Sequence, residues 1–176
     1  MIININKFQK DLKIKFKDKS LIVTALTHKS ANQKNNNEKL EFLGDRVLGL
    51  IISKKLFETY PKDKEGTLDR KLASLVNKQK CFEVAKSLEL ERFVLVGNTT
   101  KANKIENKII ADCCEALLGA VYLDQGLTVV EKFILKIWKV HLKDSVVIYV
   151  DSKTQLQEYS LKKYKSLPIY KIFENR

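Results

Sequence analysis

The chain has 176 residues, a length that suits one domain or one domain with part of another. Gly and Pro number only 6 and 2, which favours helices and argues against a turn-rich β architecture. The 33 Lys and Arg against 21 Asp and Glu give a formal net charge of +12. This excess suggests a polyanionic partner such as a nucleic acid, the other interpretation being a merely solvated basic surface.

The cysteines and the apolar runs indicate in which cellular compartment the protein works. Cys81, Cys113 and Cys114 form no CxxC pair and are odd in number, which predicts reduced thiols and a cytoplasmic protein. The lysine-interrupted start has no apolar core of a signal peptide. The longest apolar run, ALLGAVYL, has eight residues and is too short to span a bilayer, so no membrane partner is expected.

Apolar residues recur at helical spacing through most of the chain. The pattern predicts a short helix around Phe8 and Leu12, followed by helices over 21–30, 38–60, 67–77, 78–88 and 108–123. A Thr128-x-x-Glu131 capping box predicts a last helix that runs to about residue 143. The sequence therefore predicts an all-α domain up to about residue 145.

The last 30 residues have a different pattern. We interpret a β-branched run over 146–150 as a linker. The pattern then predicts a helix over 154–164 and a strand over 169–173. One helix and one strand cannot form a core of their own. We interpret this part as a piece of a second domain.

Three acids crowd one helical face in NEKLEFLGD, residues 37–45. Glu38, Glu41 and Asp45 lie three and four residues apart, and like charges at that spacing destabilise a helix by a few tenths of a kcal/mol, about 0.2–0.5 per pair. A compensating partner is therefore expected, although a plain solvated face is the other interpretation.

Besides the pair Glu41 and Asp45, a second pair of acids occupies an otherwise apolar helix. In IIADCCEALLGAVYL, residues 109–123, the charged residues are Asp112 and Glu115, three apart and so on one face. Buried carboxylates need a partner, which could be a buried lysine or arginine. If the two acid pairs converge instead, they would form an oxygen-rich site for a hard ion, Mg²⁺ or Mn²⁺.

Two rival metal sites find no support. A di-iron bundle needs Glu-x-x-His pairs, and neither His28 nor His141 follows a glutamate by three. A structural zinc site needs Cys and His at ligand spacing, which is absent from the sequence. Spacing alone thus leads to a carboxylate metal site and no further.

The motif NEKLEFLGD resembles the signature of the ribonuclease III family. Four further segments resemble family segments at similar intervals: ALTHKS (25–30), EGTLDRKLASLVN (65–77), ADCCEALLGAVYLDQG (111–126) and KTQLQEY (153–159), the last resembling the start of a double-stranded-RNA-binding domain. The resemblance implies an endonuclease domain over 1–145, a linker over 146–152 and a partial double-stranded-RNA-binding domain over 153–176.

The resemblance also implies an activity. A homodimer would cleave double-stranded RNA by Mg²⁺-dependent hydrolysis, with Mn²⁺ able to substitute, leaving 5′-phosphate and 3′-hydroxyl ends. Processing of ribosomal and other precursor RNA is the role that the family suggests. The alternative is a catalytically silent RNA-binding or ribosome-assembly protein on the same fold, which would be expected to lose one or more of the acids.

The resemblance assigns roles to individual residues. The catalytic residues would be Asp45 and Glu115; the metal ligands Glu41, Asp112 and Glu115; the RNA-binding residues Thr154, Gln157 and Glu158; the secondary acids Glu38 and Glu65; and the dimer contact Phe42. The other interpretation of Phe42 is an ordinary core residue.

Overall fold

The computed structural model describes residues 4–97, 105–144 and 152–170, and the regular structure in these ranges is helical. The helices are α1 (Ile5–Leu12), α2 (Lys19–Ala25), α3 (Glu38–Thr59), α4 (Glu65–Val76), α5 (Lys78–Ser87), α6 (Asn107–Gln125), α7 (Leu127–Ile137), α8 (Lys139–Asp144) and α9 (Ser152–Tyr164), with one 3₁₀ turn, Leu90–Arg92. This confirms the all-α prediction. None of the described helices is both long and apolar enough to cross a membrane.

The chain divides into two compact units, Met1–Val146 and Val147–Arg176. The division falls close to the boundary predicted from the sequence, while the identity of the second unit stays a prediction. Within that unit α9 matches the predicted helix, and residues 169–170 of the predicted strand have no regular structure. The rest of that strand (171–173) and the linker residues 146–151 lie outside the described residues.

Helix α6 forms the centre of the first unit. Every residue from Ile109 to Val121 is buried, because α3 and α5 pack on it and α2 and α7 add further cover. A helix that is apolar nearly all round is stable only when it is enclosed in this way. The core therefore surrounds the helix that carries Asp112 and Glu115.

The second helix ends earlier than predicted. It begins at Lys19, where the Asp18 carboxylate accepts a hydrogen bond from the Ser20 backbone N–H, and it ends at Ala25. Beyond it, the Leu95 N–H donates to the Leu26 carbonyl at 2.7 Å, and the His28 N–H donates to the Leu95 carbonyl at 2.9 Å. This pairing with a distant segment takes the backbone groups that a continued helix would have used.

The predicted capping box was wrong. Gly126, with a left-handed φ of 81°, is the residue between α6 and α7, so Thr128 lies inside the first turn of α7. The predicted last helix is also divided into α7 and α8 at Trp138. The Trp138 side chain is fully buried and its indole N–H donates to the Leu75 carbonyl at 2.9 Å, which fastens this point to α4.

Candidate metal centre

Two glycines let the acid-bearing helices approach closely. A Cβ on Gly44 of α3 would lie 1.7 Å from the backbone oxygen of Glu115, and a Cβ on Gly119 of α6 would lie 2.3 Å from the backbone oxygen of Leu40. Each glycine thus faces the backbone of the opposite helix, and no side chain would fit at either place. The close crossing brings the acids of α3 beside those of α6.

Three of the predicted acids meet at this crossing. One carboxylate oxygen each from Glu41, Asp112 and Glu115 lies within 4.8 Å of the others. Glu115 is 2% exposed, Asp112 is 8% exposed and Glu41 is half-buried. The cluster consists of hard oxygen donors, the ligands that Mg²⁺ and Mn²⁺ prefer. The residues present therefore fit a divalent ion: both acids of α6 converge with Glu41 of α3, whereas Asp45, the other acid of the α3 pair, lies outside the cluster.

A lysine also lies in the cluster; the sequence allowed a lysine or arginine as the partner of Asp112 and Glu115 but did not identify Lys78. The Lys78 ammonium donates to Glu41 at 2.8 Å, to Asp112 at 2.5 Å and to Glu115 at 2.9 Å. Lys78 is the first residue of α5, where a cation opposes the helix dipole at a cost of about 0.3–1 kcal/mol. A lysine at a predicted helix start was the one signal of this role in the sequence.

Burial and ion pairing act together on the titration of the cluster. Burial raises the pKa of Glu115, and the hydrogen bond from Lys78 offsets part of that increase. Burial alone would lower the pKa of Lys78, but its hydrogen bonds to Asp112, Glu41 and Glu115 raise it well above the usual value. Lys78 is therefore protonated at neutral pH and partly neutralises the carboxylates.

Helix α5 supplies a second contact to the cluster. Cys81, one turn after Lys78, is fully buried, and after burial the neighbouring Glu115 carboxylate is among the causes that raise the pKa of its thiol. This pKa lies far above the usual range of a thiol, so Cys81 stays protonated. Helix α5 thus brings both an ammonium and a neutral thiol next to Glu115.

The other predicted acids lie outside the three-residue cluster. Asp45 lies one turn after Glu41 and pairs with Arg46, and its charge acts on Glu115 by raising the pKa of that carboxyl. Glu38 is exposed and pairs with Lys29 at 3.1 Å. Glu65 is the exposed first residue of α4.

Phe42 lies on the surface of the unit. It is 66% exposed, and the Arg46 guanidinium lies 5.5 Å from the centre of its ring. The interpretation of Phe42 as a core residue was therefore wrong.

The start of α3 is anchored by a residue that sequence reasoning passed over. Asn37 is 1% exposed, its side-chain amide donates to the Cys113 sulfur at 3.4 Å, and its backbone N–H donates to the Thr27 carbonyl at 2.9 Å. Burial raises the pKa of Cys113 to about 12. Asn37 therefore joins the start of α3 to α6 next to the acids.

The predicted RNA-binding residues belong to α9 in the second unit. Gln157 is half-buried and Glu158 is exposed. Thr154 lies in the same helix, but its side chain is outside what the structure describes. Their role stays a prediction.

Comparison with known proteins identifies relatives along most of the chain. Residues 18–141, which include the three acids of the cluster, match the model of the family described as ribonuclease-III-like. Ribonuclease 3 of Pelagibacter ubique is 59% identical over 170 residues, which cover 96% of this chain and 77% of that protein. Ribonuclease 3 of Aliarcobacter butzleri is 40% identical over 174 residues, which cover 95% of this chain and 76% of that protein.

A solved structure agrees with these relatives. The nuclease domain of ribonuclease III from Campylobacter jejuni, described as flexible in the region involved in dimer formation, superposes with a TM-score of 0.76 at 39% identity. The match covers 80% of this chain and 99% of that domain.

Proposed function

The chain belongs to the ribonuclease III family and is an endoribonuclease, and we propose that it cleaves double-stranded RNA by Mg²⁺-dependent hydrolysis, leaving 5′-phosphate and 3′-hydroxyl ends. The observation that carries this proposal is the convergence of Glu41 with Asp112 and Glu115 within 4.8 Å. An A-form duplex exposes phosphates and 2′-hydroxyls along a shallow groove, which suits a protein of net charge +12.

We assign the residues of the cluster distinct roles. Glu41, Asp112 and Glu115 would hold the ion, with Glu115 the most firmly fixed because it is the most deeply buried of the three. Asp45, which is half-buried one turn from Glu41, would orient a water or a ligand. Mg²⁺ at this place would lower the pKa of a water and offset negative charge on the reacting phosphate.

The remaining assignments extend the proposal to RNA contact. Glu38 and Glu65, both exposed, would lie near the RNA or the dimer contact, and Thr154, Gln157 and Glu158 would contact the minor groove. We propose ribosomal and other precursor RNAs as substrates. The three unpaired cysteines favour work in the reducing cytoplasm.

We also propose that the protein acts as a homodimer through α3. Phe42, Leu50 and Phe57 are 66%, 59% and 72% exposed. At 100° per residue, these three side chains lie within an arc of about 80° around the axis of α3 and form an apolar stripe along it. The apolar stripe borders a groove lined by Leu56, Leu68 and Leu72, among other residues. An exposed apolar surface of this kind marks a contact with another protein, and a region involved in dimer formation is known in the Campylobacter relative.

The proposal is tested by cleavage of a long perfect RNA duplex with Mg²⁺ and with EDTA. We expect the wild type to cut only with Mg²⁺, and Glu115→Gln to lose at least about 100-fold in rate, because the buried carboxylate becomes a neutral amide. End-labelling of the fragments identifies the 5′-phosphate. The control is Glu131→Gln, which changes a half-buried acid paired with Lys54 and should leave the rate unchanged.

Cleavage that persists in EDTA, or in Glu115→Gln, would contradict the assignment of the cluster. Binding of the duplex without any cutting by the wild type would favour the alternative, a catalytically silent RNA-binding protein.

A further inference from the structure

Lys78 gives the acidic cluster a cation of its own. We propose that the Lys78 ammonium is a resident counter-ion, which neutralises Glu41, Asp112 and Glu115 until a divalent ion binds and is displaced when that ion enters. The inference rests on the proposed function, since it supposes that the cluster holds a metal.

The contacts show that lysine and metal would compete for the same atoms. The ammonium donates to an oxygen of each of the three carboxylates that could hold an ion, at 2.5–2.9 Å. An ammonium has three hydrogens to donate, and here each has a carboxylate partner. Oxygens engaged in these charge-assisted bonds are not free to bind a second cation at the same point.

The position of Lys78 allows it to leave. Its side chain is 46% exposed, whereas those of Asp112 and Glu115 are 11% and 3% exposed. The long flexible stem of a lysine can carry the ammonium outward into water without moving the helix. The buried acids cannot move in the same way, so the lysine is the mobile partner of the cluster.

Among the described residues, no acid on α5 itself explains a lysine at the start of this helix. The first turn of α5 carries no acid, and Asn77 caps the helix by accepting from the Lys80 backbone N–H at 2.9 Å. A cation at a helix start is electrostatically unfavourable. The three carboxylates of the cluster are the partners that make the placement of Lys78 favourable.

The test is a titration of three proteins with Mn²⁺: the wild type, Lys78→Met and Lys80→Met. Electron paramagnetic resonance measures the concentration of free Mn²⁺ at each step. Lysine and metal behave as two ligands with unfavourable coupling, so Lys78→Met should bind Mn²⁺ more tightly by about 5- to 150-fold. In EDTA the same variant should unfold at a lower temperature than wild type, because the carboxylates lose their counter-ion.

Lys80→Met is the matched control. It makes the same change of charge two residues along the same helix, at a lysine that pairs with Glu83 rather than with the cluster. Its Mn²⁺ affinity should equal that of the wild type. Equal or weaker Mn²⁺ binding by Lys78→Met would overturn the inference, even if the wild type binds metal and cleaves RNA. Absence of Mn²⁺ binding by every variant would overturn the proposed metal centre itself.

A second measurement uses the wild type and avoids any failure of the variant to fold. Reductive methylation of lysines, read by mass spectrometry, should modify Lys78 faster with Mg²⁺ than with EDTA, because the displaced ammonium faces water. The Lys80 rate should not change. An equal Lys78 rate in the two conditions would overturn the inference.

Discussion

At the scale of single residues, Gly44 and Gly119 determine how close the acid-bearing helices come. Each meets backbone atoms of the other helix, which cannot move aside as the end of a flexible side chain could. The distance between Glu41 and the pair on α6 therefore depends on two residues that carry no chemistry.

Gly44→Ala should destabilise the first unit by about 3 kcal/mol, the upper end of the usual cost of overpacking, because its Cβ would lie 1.7 Å from the Glu115 backbone oxygen. It should also weaken Mn²⁺ binding, since the helices must separate. Urea unfolding and metal titration measure the two effects.

Gly49→Ala is the control on the same helix. A Cβ there meets nothing within 4 Å, so the gain in helix propensity should stabilise the unit by about 0.5–1 kcal/mol. If the two variants had equal stability, the close crossing would not be the reason for the glycine at position 44.

The acids and the lysine differ in how far the sequence could reveal them. Two carboxylates in an apolar helix are conspicuous, because burying them without a partner would be costly. Lys78 belongs to a chain rich in lysine, and its contact with α3 and α6 depends on how distant segments pack. The spacing of residues along one helix therefore could not predict this contact.

At the scale of elements, a buried lysine fixes the connection between α3 and α4. Lys71 is 5% exposed, its ammonium lies 2.8 Å from an Asp63 carboxylate oxygen, and it lies 3.1 Å from the centre of the Tyr60 ring. Asp63 and Tyr60 both belong to the connecting segment, so this one side chain of α4 holds the loop against its helix.

Asp63→Asn should destabilise the unit by about 2–3 kcal/mol, because it leaves a buried ammonium without its counter-ion. Lys71→Met should cost less, about 1 kcal/mol, since the stem stays packed and the half-buried Asp63 can be hydrated. Urea unfolding of both variants gives the comparison. A larger loss in Lys71→Met would mean that the contact with Tyr60 outweighs the ion pair.

The helices show which boundaries a sequence specifies. The starts of α3 and α5 were predicted at the residues where they occur, and Pro61 helps to end α3 close to the predicted position. The end of α2 and the break at Trp138 were not predicted, because hydrogen bonds to Leu95 and Leu75 define them. Local patterns carry no information on partners so far along the chain.

At the scale of the whole molecule, the apolar stripe of α3 links the proposed dimer to the proposed active site. Phe42 follows Glu41 directly in the sequence, so the same helical turn presents an acid of the proposed metal site and an exposed aromatic ring. A second copy packed on this stripe would therefore lie close to the acidic cluster of its partner.

Phe42→Ala should weaken the homodimer by about 30-fold or more in Kd, the effect of removing one aromatic anchor from an interface. The folding of the single chain should be little changed, because the ring is 66% exposed. Sedimentation velocity over a range of concentrations measures the association.

Val140→Ala serves as the control, since Val140 is equally exposed at 66% and lies off this stripe. A Phe42→Ala protein that associates as strongly as the wild type would show that the stripe is not the dimer contact.

The single tryptophan of the sequence has a practical consequence. Trp138 is fully buried in the first unit and donates its indole N–H to the Leu75 carbonyl. Its fluorescence should therefore be emitted from a dry, fixed environment and shift to longer wavelength when that environment opens to water. Because residues 147–176 contain no tryptophan, this emission would report the melting of the first unit alone, with no background from the rest of the chain.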